Sequence, residues 1–351
     1  MIRPHRPGRW TLPVLLGAAL ALQGCERAPA PPAQPATTQG ATPSATPQSA
    51  AASAAASAAA GAAASGAPIT VRHALGTTEI ATRPQRVAAL DMNEVDFLDQ
   101  LGVPVVGMPK DFVPDFLARY KDDPKVLDLG AIVQPNLERV HAARPDLILI
   151  TSLQANQYRA LTEIAPTLHF DVDYRDSQSN HIELIKHHLT TLGDIFGKQE
   201  AAREKVAEID AQVAAARDII AGRPEKALVI IHNNGAFSAF GEHSRYGFIF
   251  GALGVKPANP GAQSGLHGHP VSSEFIQQTN PDVIYLVDRT AVMERRPVLT
   301  AESIGNPLLR QTNAWKNGRV VFADPYAWYV TAASPASIKR VIDDVLKGYA
   351  P

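Results

Sequence analysis

The chain has 351 residues, of which 45% are hydrophobic, so it is long for one domain and can form two with sizeable cores. The formal net charge of −1 gives no overall positive field for nucleic acid, and no apolar run reaches the roughly 18 residues of a membrane-spanning helix. The single cysteine excludes an intrachain disulfide.

The first 24 residues have the features of a secretory signal, because three arginines precede a short apolar stretch from Trp10 to Leu22. The segment ends in LQGC, which resembles the lipobox of bacterial lipoproteins. That resemblance implies cleavage before Cys25 and attachment of lipid to this residue, and two or more acyl chains hold a protein firmly at a membrane. The alternative is a cytosolic protein with an apolar start and a chance cysteine.

Residues 26–68 consist almost wholly of Ala, Pro, Ser, Thr, Gln and Gly. Such a segment has no large apolar groups to bury, so we expect residues 25–68 to form a disordered tether. A flexible chain of this length spans on the order of 35 Å. Residues 1–68 hold four basic residues and one acidic residue, which leaves 29 basic and 33 acidic residues in the body, a net charge of −4. Any positive binding surface on the body must therefore be local.

From Ile69 onward, short apolar runs alternate with amphipathic stretches, which predicts an α/β fold with mainly parallel sheets. In chain order, the candidate strands are RVAAL, VVGM, DLILI, LHFDV, ALVIIH, DVIYLV and RVVFA. The segment after ALVIIH, which begins NNGAFSAF, is predicted to be a loop.

Two segments of the body, residues 136–154 and 272–290, repeat one pattern. In each, a glutamate begins a helix, Pro-Asp follows seven residues later, and an apolar strand comes next; the glutamates are Glu138 and Glu274. Proline disfavours helix in the residue before it, so Pro-Asp ends the helix. The identical spacing predicts two lobes built alike, an N-terminal lobe of residues 69–197 and a C-terminal lobe of residues 223–351.

Residues 198–222 separate these lobes and carry apolar residues at helical spacing, with Gly222 and Pro224 at the end. We expect one long helix there that links the two lobes. An ordinary surface helix within one lobe is the alternative.

Ligands of parallel α/β sheets bind at the carboxyl ends of the strands, so the residues after the repeated strands should line a cleft. These residues are Leu153 and Arg289, each 15 residues after its glutamate. Arg245 lies among glycine and aromatic residues in the segment GEHSRYGFIF. Its guanidinium can bind anionic oxygens in bidentate fashion, or it can pair with Glu242.

Two further segments offer groups that suit iron. In DPYAWYVTAAS, Tyr326 and Trp328 fit core or edge packing, whereas Tyr329 can supply a phenolate oxygen, a hard donor for ferric iron. QSGLHGHP places His267 and His269 in a Gly-rich segment, and two histidines alone do not make a zinc site. Together with the arginines, these residues predict a site for an aromatic polyanion that carries a hard metal. The sequence shows no Ser-His-Asp triad and no phosphate-binding loop.

Five longer segments, which include loops as well as strands, carry a resemblance to a known family. They are VVGMPKDFVPDF, YRALTEIAPTLHFDVD, SAFGEHSRYGFIFGALGVKP, GLHGHPVSSEFI and NPDVIYLVDR. With them, residues 85–348 resemble the periplasmic siderophore-binding proteins of ABC importers, in particular ferric-catecholate binders of the enterobactin and petrobactin type. The resemblance implies a class III periplasmic binding protein fold, two Rossmann-like lobes bridged by one long helix with little hinge motion. It also implies a monomeric, non-enzymatic, membrane-anchored lipoprotein of the periplasm. Such a protein has no intrinsic cofactor, binds a ferric siderophore and hands it to an ABC permease.

The resemblance assigns roles to individual residues. Arg245 in SRYG and Arg289 after the strand ending VDR bind the anionic chelate, while His267 in LHG and Tyr329 in WYV complete iron coordination. His269 falls where relatives carry another residue type, so we expect it to be exposed to solvent.

The two repeated glutamates acquire a role in the same way. The resemblance implies that Glu138 and Glu274 dock onto arginines of the permease. The alternative, which is compatible with docking, is that each glutamate complements the dipole in the first turn of its helix.

One departure from the family pattern affects the choice of ligand. Where the family carries a third arginine, in the phrase SGRQ, this chain reads TSLQ and has Leu153. Loss of one charge-assisted contact costs about 1.5–3 kcal/mol, which favours a less anionic, mixed-donor or tetradentate siderophore.

The sequence is also compatible with two other functions. The same fold could bind haem, through Tyr329 and His267, or a cobalamin. An enzyme using His267 as general base would need an orienting acid and a nucleophile, and the sequence marks neither.

Overall fold

The structure, a computed structural model, describes residues 68–171, 177–261 and 268–350. The predicted signal segment, Cys25, the tether up to residue 67 and His267 lie outside these residues. None of the helices in the described ranges is long and apolar enough to cross a bilayer.

The N-terminal half is built around a five-stranded parallel sheet. Its strands are β3 (Val87–Ala89), β4 (Val105–Met108), β5 (Leu127–Asp128), β8 (Leu147–Ile150) and β9 (Thr167–His169), in the spatial order β5-β4-β3-β8-β9. The antiparallel pairs β1 (Ile69–His73) with β2 (Gly76–Ile80) and β6 (Gly130–Ala131) with β7 (Gln134–Pro135) lie outside this sheet. The helices of this half are α1 (Met92–Gln100), α2 (Leu137–Ala143) and α3 (Tyr158–Thr162).

The C-terminal half contains a six-stranded mixed sheet. Its strands are β10 (Lys226–Asn233), β11 (Ala236–Phe240), β12 (Lys256–Pro257), β13 (His269–Val271), β14 (Val283–Asp288) and β15 (Val320–Phe322). The spatial order is β13-β11-β10-β14-β15, and β12 also pairs with β10. Strand β10 is parallel to β12 and β14, whereas β11 is antiparallel to both of its neighbours. The helices are α6 (Gly247–Gly251), α7 (Ser273–Thr279), α8 (Arg289–Glu294), α9 (Asn313–Lys316) and α10 (Pro335–Lys347).

The segment NNGAFSAF forms a β-hairpin, so the prediction of a loop there was wrong. Asn234 and Gly235 have φ values of 49° and 86°, and Asn233 pairs with Ala236 across the turn. Positive φ at both central residues is typical of a two-residue hairpin turn, for which Asn-Gly is the strongest short sequence signal. The chain therefore reverses after β10 and adds β11 to the sheet before it reaches Arg245.

The central strands are buried on both faces. In β8, Leu147 and Leu149 pack in a core cluster that extends through both halves of the chain, whereas Ile148 and Ile150 pack in a separate cluster with residues of α2 and α3. Successive side chains of a strand point to opposite faces, so an unbroken apolar run such as LILI fits a sheet covered on both sides. This explains why the candidate strands read as continuous apolar runs.

The repeated pattern produces two equivalent helix–strand units. The side chains of Asn136 and Ser272 cap α2 and α7, accepting hydrogen bonds from backbone N–H groups at 3.0 and 3.2 Å. Each helix ends at a residue in the left-handed region, at φ 48° and φ 45°. The following aspartates, Asp146 and Asp282, each donate a backbone hydrogen bond of 2.8 Å to the start of a neighbouring strand. The shared spacing in the sequence thus reflects shared local structure.

Two long helices, α4 (Ser177–Phe196) and α5 (Gln199–Ile220), lie in sequence between the two sheets. Helix α4 contacts both halves, because His181 stacks on Phe248 at 4.3 Å between ring centroids and His188 stacks on Phe170 at 4.5 Å. Helix α5 packs on α4 and α10. The assignment of the lobe link to residues 198–222 stays a prediction, and α4 is a second helix that the sequence analysis did not place between the halves.

Candidate functional site

A cavity of about 320 Å³ lies between the two halves. On the N-terminal side it is lined by residues that follow β3, β8 and β9, including Asp91, Leu153 and Asp171. On the C-terminal side it is lined by Arg245 and by Arg289, which directly follows β14. The cavity therefore lies at the carboxyl ends of the strands, where ligands of parallel sheets are expected.

Arg289 is held at the start of α8. The carboxylate of Asp288, which is fully buried, caps this helix by accepting from the backbone N–H of Ala291 at 3.3 Å. Arg289 itself donates from Nε to the phenolic oxygen of Tyr329 at 2.6 Å and from Nη1 to Oδ1 of Asn233 at 3.0 Å. These bonds fix the guanidinium in the cavity wall.

Arg245 approaches the same tyrosine from another direction. Its Nη2 donates to the backbone oxygen of Tyr329 at 3.0 Å, and its guanidinium carbon lies 5.5 Å from the centre of the Tyr329 ring. The corresponding distance for Arg289 is 5.2 Å. The structure therefore brings together three of the predicted site residues, because both guanidinium groups contact Tyr329.

A single π-helical turn, Tyr326–Val330, positions Tyr329. Trp328 is fully buried and anchors the turn, because its indole Nε1 donates to Asp344 at 2.9 Å and its backbone oxygen accepts from the hydroxyl of Tyr246 at 2.9 Å. Trp328 thus has the packing role expected for it. π-helical turns are rare and frequently occur at functional sites.

The two histidines of QSGLHGHP have different outcomes. His267 lies outside the described residues, so its role in iron coordination stays a prediction. His269 is exposed at the edge of the C-terminal sheet, where β13 pairs with β11, in agreement with the prediction that it faces solvent.

Large apolar side chains surround the entrance of the cavity. Leu153, Val133 and Met293 all line it and are 49%, 59% and 42% exposed. Exposed apolar groups gathered at one place mark a ligand-binding surface more often than scattered ones do. Leu153 thus contributes an apolar contact at the position where the family resemblance leads one to expect an arginine.

An acidic group in the cavity was not predicted from the sequence. Asp91 caps α1 and accepts hydrogen bonds from the backbone and side chain of Asn93 at 2.9 and 2.7 Å. Glu94 is only 1% exposed, and burial, followed by the nearby charges of Asp91 and Asp171, raises its pKa well above the ordinary value. The sequence signal was the run DMNE directly after strand β3, at the carboxyl edge of the sheet.

His188 also lines the cavity and was not predicted. Burial lowers the pKa of its imidazole to about 3, so the ring is neutral at physiological pH. It stacks on Phe170 and meets the edge of Phe97 at 5.8 Å. His188 is therefore part of an aromatic wall and adds no positive charge.

The described residues contain no group of three or more His, Cys, Asp or Glu side chains that could hold a metal ion. Positive charge in the cavity comes from Arg245 and Arg289, and aromatic surface comes from Phe97, Phe112, Phe170 and Tyr329. Such a cavity can bind an anionic ligand with aromatic groups.

Comparisons with known proteins agree with this chemistry. A family model described as periplasmic binding protein matches residues 87–327. The ferric-anguibactin-binding protein FatB of Vibrio anguillarum is 61% identical over 282 residues, which cover 80% of this chain and 88% of FatB. The petrobactin-binding protein YclQ of Bacillus subtilis is 35% identical over 285 residues, again covering 80% and 88%. The siderophore-binding protein BauB, solved with a complex between two molecules of acinetobactin and ferric iron, is 62% identical, with a TM-score of 0.78 over 81% of this chain and 99% of BauB.

Proposed function

The chain belongs to the periplasmic binding protein family, and on that premise we propose that it captures a ferric siderophore of the catecholate type for delivery to an ABC transporter. Members of this family are non-enzymatic components of transport. The family resemblance of the sequence and the expected fold, two Rossmann-like lobes with mainly parallel sheets bridged by a long helix, are both confirmed.

The observation that carries the proposal is the pair of guanidinium groups that contact Tyr329 in the cavity wall. Arg245 and Arg289 both line the cavity and both hydrogen-bond to this residue. Catecholate complexes of ferric iron are anionic and aromatic, so they match two cations beside aromatic walls. FatB, YclQ and BauB are named for siderophores or their ferric complexes, which supports the same class of ligand here.

The proposal predicts that ferric catecholates quench the tryptophan fluorescence of the protein in a saturable titration. Arg245→Gln and Arg289→Gln should each weaken binding about tenfold or more, because each removes a charge-assisted contact. Arg203→Gln, at an exposed position of α5, serves as the matched control and should bind like the wild type. Absence of quenching by every ferric catecholate, hydroxamate and carboxylate tested would contradict the proposal.

The same titration distinguishes the alternative ligands. If the protein binds haem, an absorption band appears near the blue edge of the visible spectrum, and the ligand is then an iron porphyrin rather than a siderophore. If the protein binds a cobalamin and none of the ferric chelates, the ligand is a cobalamin.

Glu138 and Glu274 are proposed to dock onto the permease. Both are exposed and lie in the first turns of the equivalent helices α2 and α7, one in each half. The equivalence of the two surfaces supports a partner that contacts both halves at once.

We further propose that Cys25 carries a lipid, which anchors the protein to a membrane that borders the periplasm. We propose that the anchored protein is a monomer. The LQGC segment that ends in Cys25 supports the proposed lipid attachment. Metabolic labelling with a radioactive fatty acid should mark the wild type and leave Cys25→Ser unmarked. Labelling of both proteins would exclude Cys25 as the site.

A further inference from the structure

The cavity has basic groups on one side and carboxyl groups on the other. The C-terminal half contributes Arg245 and Arg289, whereas the N-terminal half contributes Asp91, Glu94 and Asp171. An anionic ligand accounts for the arginines but not for three carboxyl groups in the same cavity. Some other property of the ligand must account for the acidic side.

Glu94 is the residue whose surroundings most need an explanation. It is 1% exposed, and its Oε2 atom is buried without a hydrogen-bond partner among the described residues. A buried polar atom that is left unpaired is costly, and such atoms are rare in folded proteins. The carboxyl lies in the wall of the cavity, so a bound ligand can supply the missing partner.

Glu94 lies in the first turn of α1 but does not cap this helix. The cap of α1 is Asp91, whose carboxylate is engaged by Asn93 and, at 3.2 Å, by the hydroxyl of Thr151. Burial beside two other carboxyl groups destabilises the ionised form of Glu94, as its raised pKa reflects. Groups that cost stability in this way are expected at functional sites.

We propose that Glu94, supported by Asp91 and Asp171, forms a subsite for a protonated nitrogen of the bound chelate. This inference rests on the proposed function and specifies its ligand: a ferric siderophore with an anionic iron-catecholate part and a separate cationic amine. The anionic part faces Arg245 and Arg289, and the amine donates a charge-assisted hydrogen bond to Glu94. A ligand of this kind has a smaller net negative charge, which accords with Leu153 in place of a third arginine.

Two synthetic tetradentate chelators test the proposal. They are the bis(dihydroxybenzoyl) amides of pentanediamine and of diethylenetriamine, which differ by one methylene group replaced with one protonated secondary amine. The ferric complex of each is titrated into the protein by fluorescence quenching. The wild type should bind the amine-bearing complex at least about tenfold more tightly, the effect of one charge-assisted hydrogen bond.

Glu94→Gln keeps the shape of the side chain but cannot ionise, so it cannot form the charge-assisted contact with the amine. It should reduce the ratio of the two affinities, amine-bearing complex over amine-free complex, to near unity. Glu163→Gln, at an exposed position after α3, is the matched control and should keep the full preference.

The outcomes separate this inference from the proposed function. Equal binding of the two complexes by the wild type, or an unchanged preference in Glu94→Gln, would overturn the amine subsite alone. Failure of both complexes, and of every other ferric chelate, to bind would overturn the proposed function and the inference with it.

Discussion

At the scale of single residues, Tyr329 links the positive groups of the site. Its hydroxyl accepts from Arg289, and its backbone oxygen accepts from Arg245, so each guanidinium is oriented before any ligand arrives. Orientation of this kind reduces the entropy that binding must overcome. We therefore expect the two arginines to bind an anion together rather than as two independent charges.

Leu153 offers a direct test of how net charge selects the ligand. It is half exposed at the cavity entrance, so Leu153→Arg can place a third guanidinium near the ligand without burying it. We expect this variant to bind ferric tris-catecholates about tenfold more tightly, because it adds one charge-assisted contact to the most anionic chelates. Fluorescence titration with ferric enterobactin measures the effect.

Leu153→Gln is the control for polarity and size without charge, and it should leave the affinity for ferric enterobactin near the wild-type value. A fall in affinity in Leu153→Arg would show that residue 153 does not face the bound chelate.

The sequence identified the positive residues of the site but not the acidic ones, for a physical reason. Arg245, Arg289 and Tyr329 lie in phrases specific enough to match a family position by position. Glu94 lies in DMNEVDF, which reads as the ordinary start of an amphipathic helix with its acids in water. Glu94 is buried in the folded protein, in which α4 and α10 pack against α1, and a local sequence pattern does not show such tertiary packing.

At the scale of secondary structure, the strongest predictions came from buried parallel strands. The run VVGM coincides with β4, and LILI within DLILI coincides with β8. In a strand that is covered on both faces of the sheet, every side chain is buried and the sequence is apolar throughout. A short run of this kind is therefore a strong signal for a buried strand. The strands β1, β2 and β13 were not predicted, because they lie in a small ribbon or at a sheet edge, and β11 was not predicted although it lies between β13 and β10, because its residues AFSAF are only partly buried.

The hairpin between β10 and β11 supports a prediction at this scale. Gly235 has φ 86°, and a Cβ atom placed there would meet nothing within 4 Å, so the cost of a side chain is confined to the backbone. We expect Gly235→Ala to lower the free energy of unfolding by about 1 kcal/mol. Urea unfolding followed by circular dichroism measures the change.

Gly305→Ala provides the matched control. A Cβ atom at Gly305 also meets nothing within 4 Å, but its φ is not in the left-handed region, so this variant should be as stable as the wild type or slightly more so. Equal stability of the two variants would mean that the turn at Gly235 carries no backbone strain.

At the scale of the whole molecule, buried polar bonds tie the two halves together. Asn93 and Asp96 of α1 accept hydrogen bonds from the backbone N–H groups of Ala333 and Ala336 at 3.1 and 2.7 Å, and both side chains are buried. Together with the contacts of α4 on both halves, these bonds oppose a wide opening of the cavity. This arrangement agrees with the small hinge motion that the family resemblance implies.

Limited motion has a consequence for the proposed docking of Glu138 and Glu274. If the halves keep their relative position, the two exposed carboxylates keep a constant separation and can meet two fixed cationic sites on a permease at once. Simultaneous engagement of two sites raises the overall affinity well above that of either alone. We therefore propose that the two glutamates together form one bidentate contact with the permease.

In proteoliposomes that contain the partner permease, Glu138→Gln and Glu274→Gln should each lower the rate of ferric siderophore uptake several-fold, and the double variant should lower it further than either. The affinity for the chelate should not change, because both residues lie outside the cavity. Loss of a favourable charge in the first turn of a helix should reduce stability by no more than about 0.3–1 kcal/mol. Uptake by the double variant at the rate of Glu163→Gln, the exposed control, would show that the two glutamates serve only to stabilise their helices.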